Sequence, residues 1–117
     1  NTIDESFSKW ISDNQNIKPT IFEISTTTLD EIIKNNSIKE VFLLNIDVEG
    51  VDKIIVESYS WSIKPVFIMI EDWNKDTKRG DKNIEEILNS KGYEKICSLY
   101  LTSIYIDVNN EIYRALS

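Results

Sequence analysis

With 117 residues the chain has room for one domain with a true hydrophobic core, and 41% hydrophobic with 28% charged residues excludes general disorder. A formal net charge of −7 and a pI near 4.6 oppose encounter with a nucleic-acid backbone or an anionic membrane surface. Histidine is absent, which removes the commonest general base and metal ligand; serine triads and zinc sites drop out, and proton transfer falls to a carboxylate, tyrosine or lysine.

From the N-terminus, "NTIDESFSKWISDNQN" sets Phe7, Trp10 and Ile11 at a spacing that predicts a short helix before a polar loop. It lacks the basic-then-apolar layout of a signal peptide. No stretch has the apolar length a membrane span needs. "TIFEI", over 20–24, has the β-branched and aromatic content of a short edge strand. In "TLDEIIKNN", Thr28 and Glu31 form a capping box, Leu29, Ile32 and Ile33 line one helical face, and Asn35 and Asn36 end it.

"VFLLNI", over 41–46, is nearly all apolar and too short for a buried helix, so it reads as a central parallel strand buried on both faces. After Gly50, the spacing of Val51, Ile54, Ile55 and Tyr59 predicts an amphipathic helix. Pro65 precedes a second buried strand, "VFIMI", which ends in Glu71 and Asp72. The polar loop "NKDTKRGDK" leads to a helix in which Asn83 caps, Glu86 completes a second capping box, and Gly92 supplies a left-handed end. Two β-rich stretches, 93–101 and 104–108, finish the chain. The lone Cys97 cannot form an internal disulfide, which favours the cytoplasm, and it is expected as a small buried hydrophobe. The expected fold is α/β in one domain, with strands 41–46 and 66–70 as parallel neighbours and a C-terminal antiparallel pair.

In open parallel α/β sheets, ligands bind beyond the carboxyl ends of the strands. Asp47 and Glu49 leave the first buried strand and Glu71 and Asp72 the second, so four carboxylates are expected to face one cleft, with Gly50 allowing a tight turn into the helix. The plain structural alternative is that Glu49 and Asp52 only complement the dipole of the following helix. Asp47 resists that reading, because aspartate is a poor strand former.

"TTTLDEII", "VFLLNIDVEGVDKIIVESYSW", "KPVFIMIED" and "NIEEILNSKGY", in that order from Thr26 to Tyr93, resemble the FkbM family of S-adenosylmethionine-dependent methyltransferases. That family's signature runs T-L-D, a hydrophobic strand, I-D-V-E-G-x-E/D, an amphipathic helix, and a strand ending in Glu. The resemblance implies that Asp30 belongs to the T-L-D motif. It implies that Asp47, Glu49 and Gly50 form the acidic turn after the fourth strand of a class I, Rossmann-like methyltransferase sheet, and that Glu71 ends the fifth. Asp47 and Glu49 are then the catalytic candidates, Asp47 as base or acceptor anchor and Glu49 in support. Asp47 and Gly50 are the cofactor-side candidates, and Glu71 and Trp73 face a small-molecule or sugar acceptor.

A glycine-rich strand-to-helix turn for the cofactor does not occur, since the only glycines are Gly50, Gly80 and Gly92. The chain is therefore expected to be the C-terminal half of such a domain, keeping strands four, five, seven and six and inactive alone. Strand 41–46 would then be an exposed edge through which a homo-oligomer could form, unless "TIFEI" covers it. The competing readings are a non-catalytic α/β interaction module assembling through that strand, and a divalent cation held by Asp47, Glu49 and Glu71. Trp61 and Trp73 are expected as core or rim packing rather than as ring platforms, and Lys78 and Arg79 as solvated charge.

Overall fold

The computed structural model describes residues 22–48, 50–74 and 79–117, together with Lys9, Asp13 and Thr20, and at 73, 74, 79 and 80 the backbone only. The helix expected around Phe7, Trp10 and Ile11 lies outside the described residues, as do Glu49, Lys78 and the side chains of Trp73 and Arg79. No strand forms at the described positions of 20–24, where Phe22 and Ile24 are exposed. A strand there would need a neighbouring strand to hydrogen-bond with, and the sheet provides none at those positions.

Helix α1 (Leu29–Asn35) starts at the expected capping box. The Glu31 amide donates to Thr28 Oγ1 at 3.2 Å, while the Thr28 amide donates to Glu31 Oε2 at 2.9 Å. These donors, first the Thr28 amide and then the Thr27 hydroxyl, hold the Glu31 carboxyl below its ordinary value. Asp30, from the T-L-D triplet, turns toward the chain after the next helix. Its carboxylate accepts from the Ser60 amide at 3.0 Å and from the Ser60 hydroxyl, joining segments 30 residues apart.

Strands β1 (Leu43–Ile46) and β2 (Phe67–Glu71) are parallel, with helix α2 (Asp52–Ser58) between them. A short hairpin, β3 (Trp73–Asn74) and β4 (Arg79–Gly80), occupies the loop expected to be irregular. Helix α3 (Lys82–Ser90) follows, then β5 (Tyr93–Leu99), β6 (Thr102–Asp107) and an unanticipated helix α4 (Glu111–Leu116). The four-stranded sheet has the order β1-β2-β6-β5, with β6 antiparallel to both its neighbours. The cap of α3 is Asp81, not Asn83: the Asp81 side chain accepts from the Asn83 amide at 2.8 Å, so the helix begins two residues before the expected capping box would allow. Gly92 takes the expected left-handed conformation at φ 84°.

The core lies between one sheet face and the α2–α3 layer. Leu44 and Ile46 on β1 align with Ile68 and Ile70 on β2, which align in turn with Tyr105 and Ser103 on β6. Val56, Ile84 and Leu88 close over them from the helices. Each such apolar side chain contributes about 1.5–3 kcal/mol on full burial. The apolar face of α2 is rotated from the expected one: Ile54 is exposed, and Asp52, Val56 and Tyr59 point inward. Trp61 packs between the rings of Tyr59 and Tyr93, at centroid distances of 5.1 and 5.6 Å, and donates its indole N–H to the Val56 carbonyl. It packs, partly buried, against the core, within the expected core or rim role.

Two expected burials are not found. Among the described residues strand β1 is flanked by β2 on one side only and Leu43 is half exposed, so it is not a central strand buried on both faces but the exposed edge expected of a chain that keeps strands four, five, seven and six. Cys97 is exposed, because β5 is the opposite edge and a register shift between Lys95 and Cys97 turns it away from the core. On the face opposite α2 and α3, helix α4 is tied to β5 by the Tyr113 hydroxyl donating to Glu94 Oε2 at 2.5 Å.

Asp30→Ala removes both acceptors for Ser60 and is expected to lower unfolding free energy by about 1–2 kcal/mol in urea titration. A change below about 0.5 kcal/mol would show that the T-L-D aspartate does not clamp α1 to the 59–63 turn.

Candidate functional site

The exit of β1 is a tight acidic turn. Asp52, in the first turn of α2, is buried, and its carboxylate reaches back to accept from the Val48 amide at 3.4 Å and the Gly50 amide at 3.2 Å. Val51 at the N-cap has no capping side chain, so Asp52 serves as the brace of the turn as well as complementing the helix dipole. Gly50 sits at φ 94°, where an L side chain is strained, and the space a Cβ would enter is open to 4 Å. Asp47 is exposed, and among the described residues its carboxylate has no hydrogen bond or ion pair.

At the exit of β2 the alternation of a strand separates two neighbouring acids. Glu71 pairs in register with Thr102 and lies on the face of Phe67 and Met69, away from α2 and α3. Ile46 aligns with Ile70, so Asp47 and Glu71 leave adjacent parallel strands side by side, at a strand spacing of about 4.8 Å. Asn45, exposed on β1 and aligned with Met69, belongs to the same face.

Asp72 goes the other way. It is buried, and its carboxylate accepts from the Ser103 hydroxyl at 2.8 Å and the Tyr105 hydroxyl at 3.0 Å, and pairs with Lys95 Nζ at 2.9 Å. Lys95 also meets Glu85 at 3.0 Å, from the first turn of α3. Burial acts to lower the Lys95 ammonium, but hydrogen bonds to Asp72, Glu85 and Tyr105 outweigh it and raise the group above its ordinary value. Burial first, and then the Asp72 charge, raise the Tyr105 hydroxyl.

The expected cleft of four carboxylates is thus corrected. Asp47 and Glu71 share the rim with Gly50 nearby, Asp72 is a satisfied core group, and Glu49 and the Trp73 side chain lie outside the described residues. Among the described residues no three carboxylate or cysteine side chains gather as metal ligands do. A shallow groove lined by Lys53, Glu57, Asn83 and Glu86 runs along the α2–α3 pair rather than at the strand exits. Sequence reasoning missed the Asp72–Lys95–Tyr105 network. Its one signal was a lysine at an inward position of β5, where a charge needs a buried partner.

The chain matches the family described as the methyltransferase FkbM domain over residues 4–95, and it belongs to that family. Neither the curated proteins nor the solved structures give a match. Among the described residues no helix is long and apolar enough to cross a membrane.

Lys95→Met leaves the buried Asp72 carboxylate without its cation and is expected to cost about 3 kcal/mol in chemical denaturation, with partial recovery when Asp72→Asn is added. Lys95 and Tyr105 both hold their protons more tightly in the folded state, so the unfolded state releases more protons above the ordinary values of 10.5 and 10.0. Their contribution is fully present below those values and is lost as pH rises through the folded ones. Stability should therefore decline above about pH 10, less steeply in Tyr105→Phe; parallel decline in the two proteins would exclude this linkage.

Proposed function

We propose that this FkbM-family chain carries the acceptor side of an S-adenosylmethionine-dependent methyltransferase that methylates a hydroxyl of a small molecule or sugar. The observation that carries the reading is the juxtaposition of Asp47 and Glu71 at the carboxyl ends of adjacent parallel strands. The strand order β1-β2-β6-β5, with β6 antiparallel, supports it further, since it agrees with the fourth, fifth, seventh and sixth strands of a class I, Rossmann-like sheet.

The donor set suits the cationic end of the cofactor: an exposed carboxylate at Asp47, Glu71 beside it, and an open backbone approach at Gly50. None of the described residues forms a glycine-rich cradle for the nucleoside end. When bound, S-adenosylmethionine supplies an electrophilic methyl group on a sulfonium. The carboxylates favour oxygen over nitrogen as the acceptor. An amine beside two acids stays protonated and has no lone pair to attack with, whereas a neutral hydroxyl donates its proton to Asp47 as its oxygen becomes nucleophilic. Glu71, one strand over, orients the same acceptor through a second hydroxyl.

A second reading, a non-catalytic module that self-associates along β1, is favoured by that strand's edge position among the described residues and by the exposed Leu43 on it and Phe42 just before it. Sedimentation of the chain separates the two readings, because Leu43→Lys should dissolve a β1-mediated oligomer and leave a monomer unchanged.

In the natural polypeptide that carries these residues, labelled S-adenosylmethionine should yield a base-stable methyl ether. Asp47→Asn should lower kcat by about 10²–10⁴-fold while leaving cofactor Kd nearly unchanged. Transfer at the wild-type rate in Asp47→Asn would remove Asp47 as the base, and transfer to nitrogen would overturn the oxygen assignment.

A further inference from the structure

The face of the sheet away from α2 and α3 carries a second surface. Leu44 and Ile46 turn inward from β1, as their partners Ile68 and Ile70 do from β2, which leaves Leu43 and Asn45 on the outer face, aligned with Phe67 and Met69. Met69 is aligned in turn with Ile104 of β6. Leu43 is half exposed, Asn45 is exposed, and Phe67, Met69 and Ile104 are partly exposed. Together they make an apolar floor with one amide in it, leading up to Asp47. A parallel strand rises about 3.3 Å per residue, so Asn45 stands about 6.6 Å and Leu43 about 13 Å along the floor from Asp47. Asparagine is a poor strand former, and among the described residues the Asn45 side chain makes no hydrogen bond and has no place in the core.

We propose that this floor receives the ring system of the methyl acceptor and that the acceptor is a planar polycyclic phenol. The inference rests on the methyltransferase reading, with Asp47 as base, and narrows its acceptor class. Acidity selects the hydroxyl. Proton transfer to an ordinary carboxylate is uphill by about six powers of ten from a phenol and by about twelve from a hydroxyl as weakly acidic as water. The phenol therefore reaches its nucleophilic form with far less help from the base. The floor selects the frame. A flat ring system lies on Leu43, Phe67 and Met69 with its apolar face covered, whereas a sugar laid there buries hydroxyls against side chains that cannot receive them. The Asn45 amide selects a second oxygen, which it meets on the far ring while the first hydroxyl donates to Asp47.

The test is saturation-transfer NMR titration of the chain with 2-naphthol, 2,6-dihydroxynaphthalene, the saturated alcohol decahydro-2-naphthol and methyl β-glucopyranoside. Both naphthols should receive transfer at their ring protons and bind about three- to tenfold more tightly than the decahydro alcohol, with no contact from the glucoside. Leu43→Thr keeps a strand-forming side chain at an exposed position, so the fold is retained, which its amide spectrum checks, and both naphthols should weaken about threefold. Asn45→Leu should weaken 2,6-dihydroxynaphthalene relative to 2-naphthol. Equal binding in Leu43→Thr, no contact with either naphthol, or preference for the glucoside would overturn the proposal. Absent contact together with sedimentation as a dimer would assign the floor to a second copy of the chain instead. Labelled methyl transfer in the natural polypeptide separates the two levels. Leu43-dependent naphthol binding without transfer to any acceptor removes the methyltransferase reading and keeps the aromatic floor. Asp47-dependent transfer to a sugar or alkyl hydroxyl, unchanged by Leu43→Thr, removes the phenol and keeps the transferase.

Discussion

The register of β2 is the constraint on which the rest of the structure depends. Ile68, Ile70 and then Asp72 face the helices, while Phe67, Met69 and Glu71 face away. A slip of one residue would bury Glu71 without partners and expose two isoleucines that are now fully enclosed. Two different forces hold the register. The isoleucines fix it by hydrophobic burial, which is strong but tolerant of small shifts. The Asp72 carboxylate fixes it by direction, because the Ser103 hydroxyl, the Tyr105 hydroxyl and the Lys95 ammonium must all be met at once.

That network also couples separate elements. Asp72 belongs to the end of β2, Ser103 and Tyr105 to β6, Lys95 to β5, and Glu85 to α3. No buried side-chain polar atom is left unpartnered among the described residues, so the polar inner layer stabilises the packing instead of weakening it. The placement of Glu71 on the outer face follows from the anchoring of its neighbour on the inner one.

Much of this was legible in the sequence because the signals were local. The capping box of Thr28 and Glu31, the apolar runs that become β1 and β2, and Gly92 at a helix end need only neighbouring residues to be read. The failures concern sheet position and facing. "VFLLNI" has the composition of a central strand, but centrality depends on how many neighbours it has, and hydropathy carries no record of that. Cys97 was misjudged because the register shift beside it reverses the face it would otherwise occupy. Asp52 was legible as an acid at a helix start but not as the brace of the turn before it, and Asp72 looked like a cleft acid because its hydroxyl partners lie more than 30 residues on.

At both strand exits one acid is turned inward and one outward. Asp52 is spent on the backbone of the first turn and Asp72 on the core network, and each has its charge or lone pairs met inside the protein. Asp47 has no such partner among the described residues, and Glu71 lies beside it on the face without helices α2 and α3. The inward acids therefore add rigidity without adding much field, since Asp72 is offset by Lys95. Asp47 projects its field into solvent, where it draws a cation and repels an anion. Within this turn the two described aspartates divide the labour: Asp52 ties the backbone at Val48 and Gly50, and Asp47 leaves the stiffened turn toward solvent.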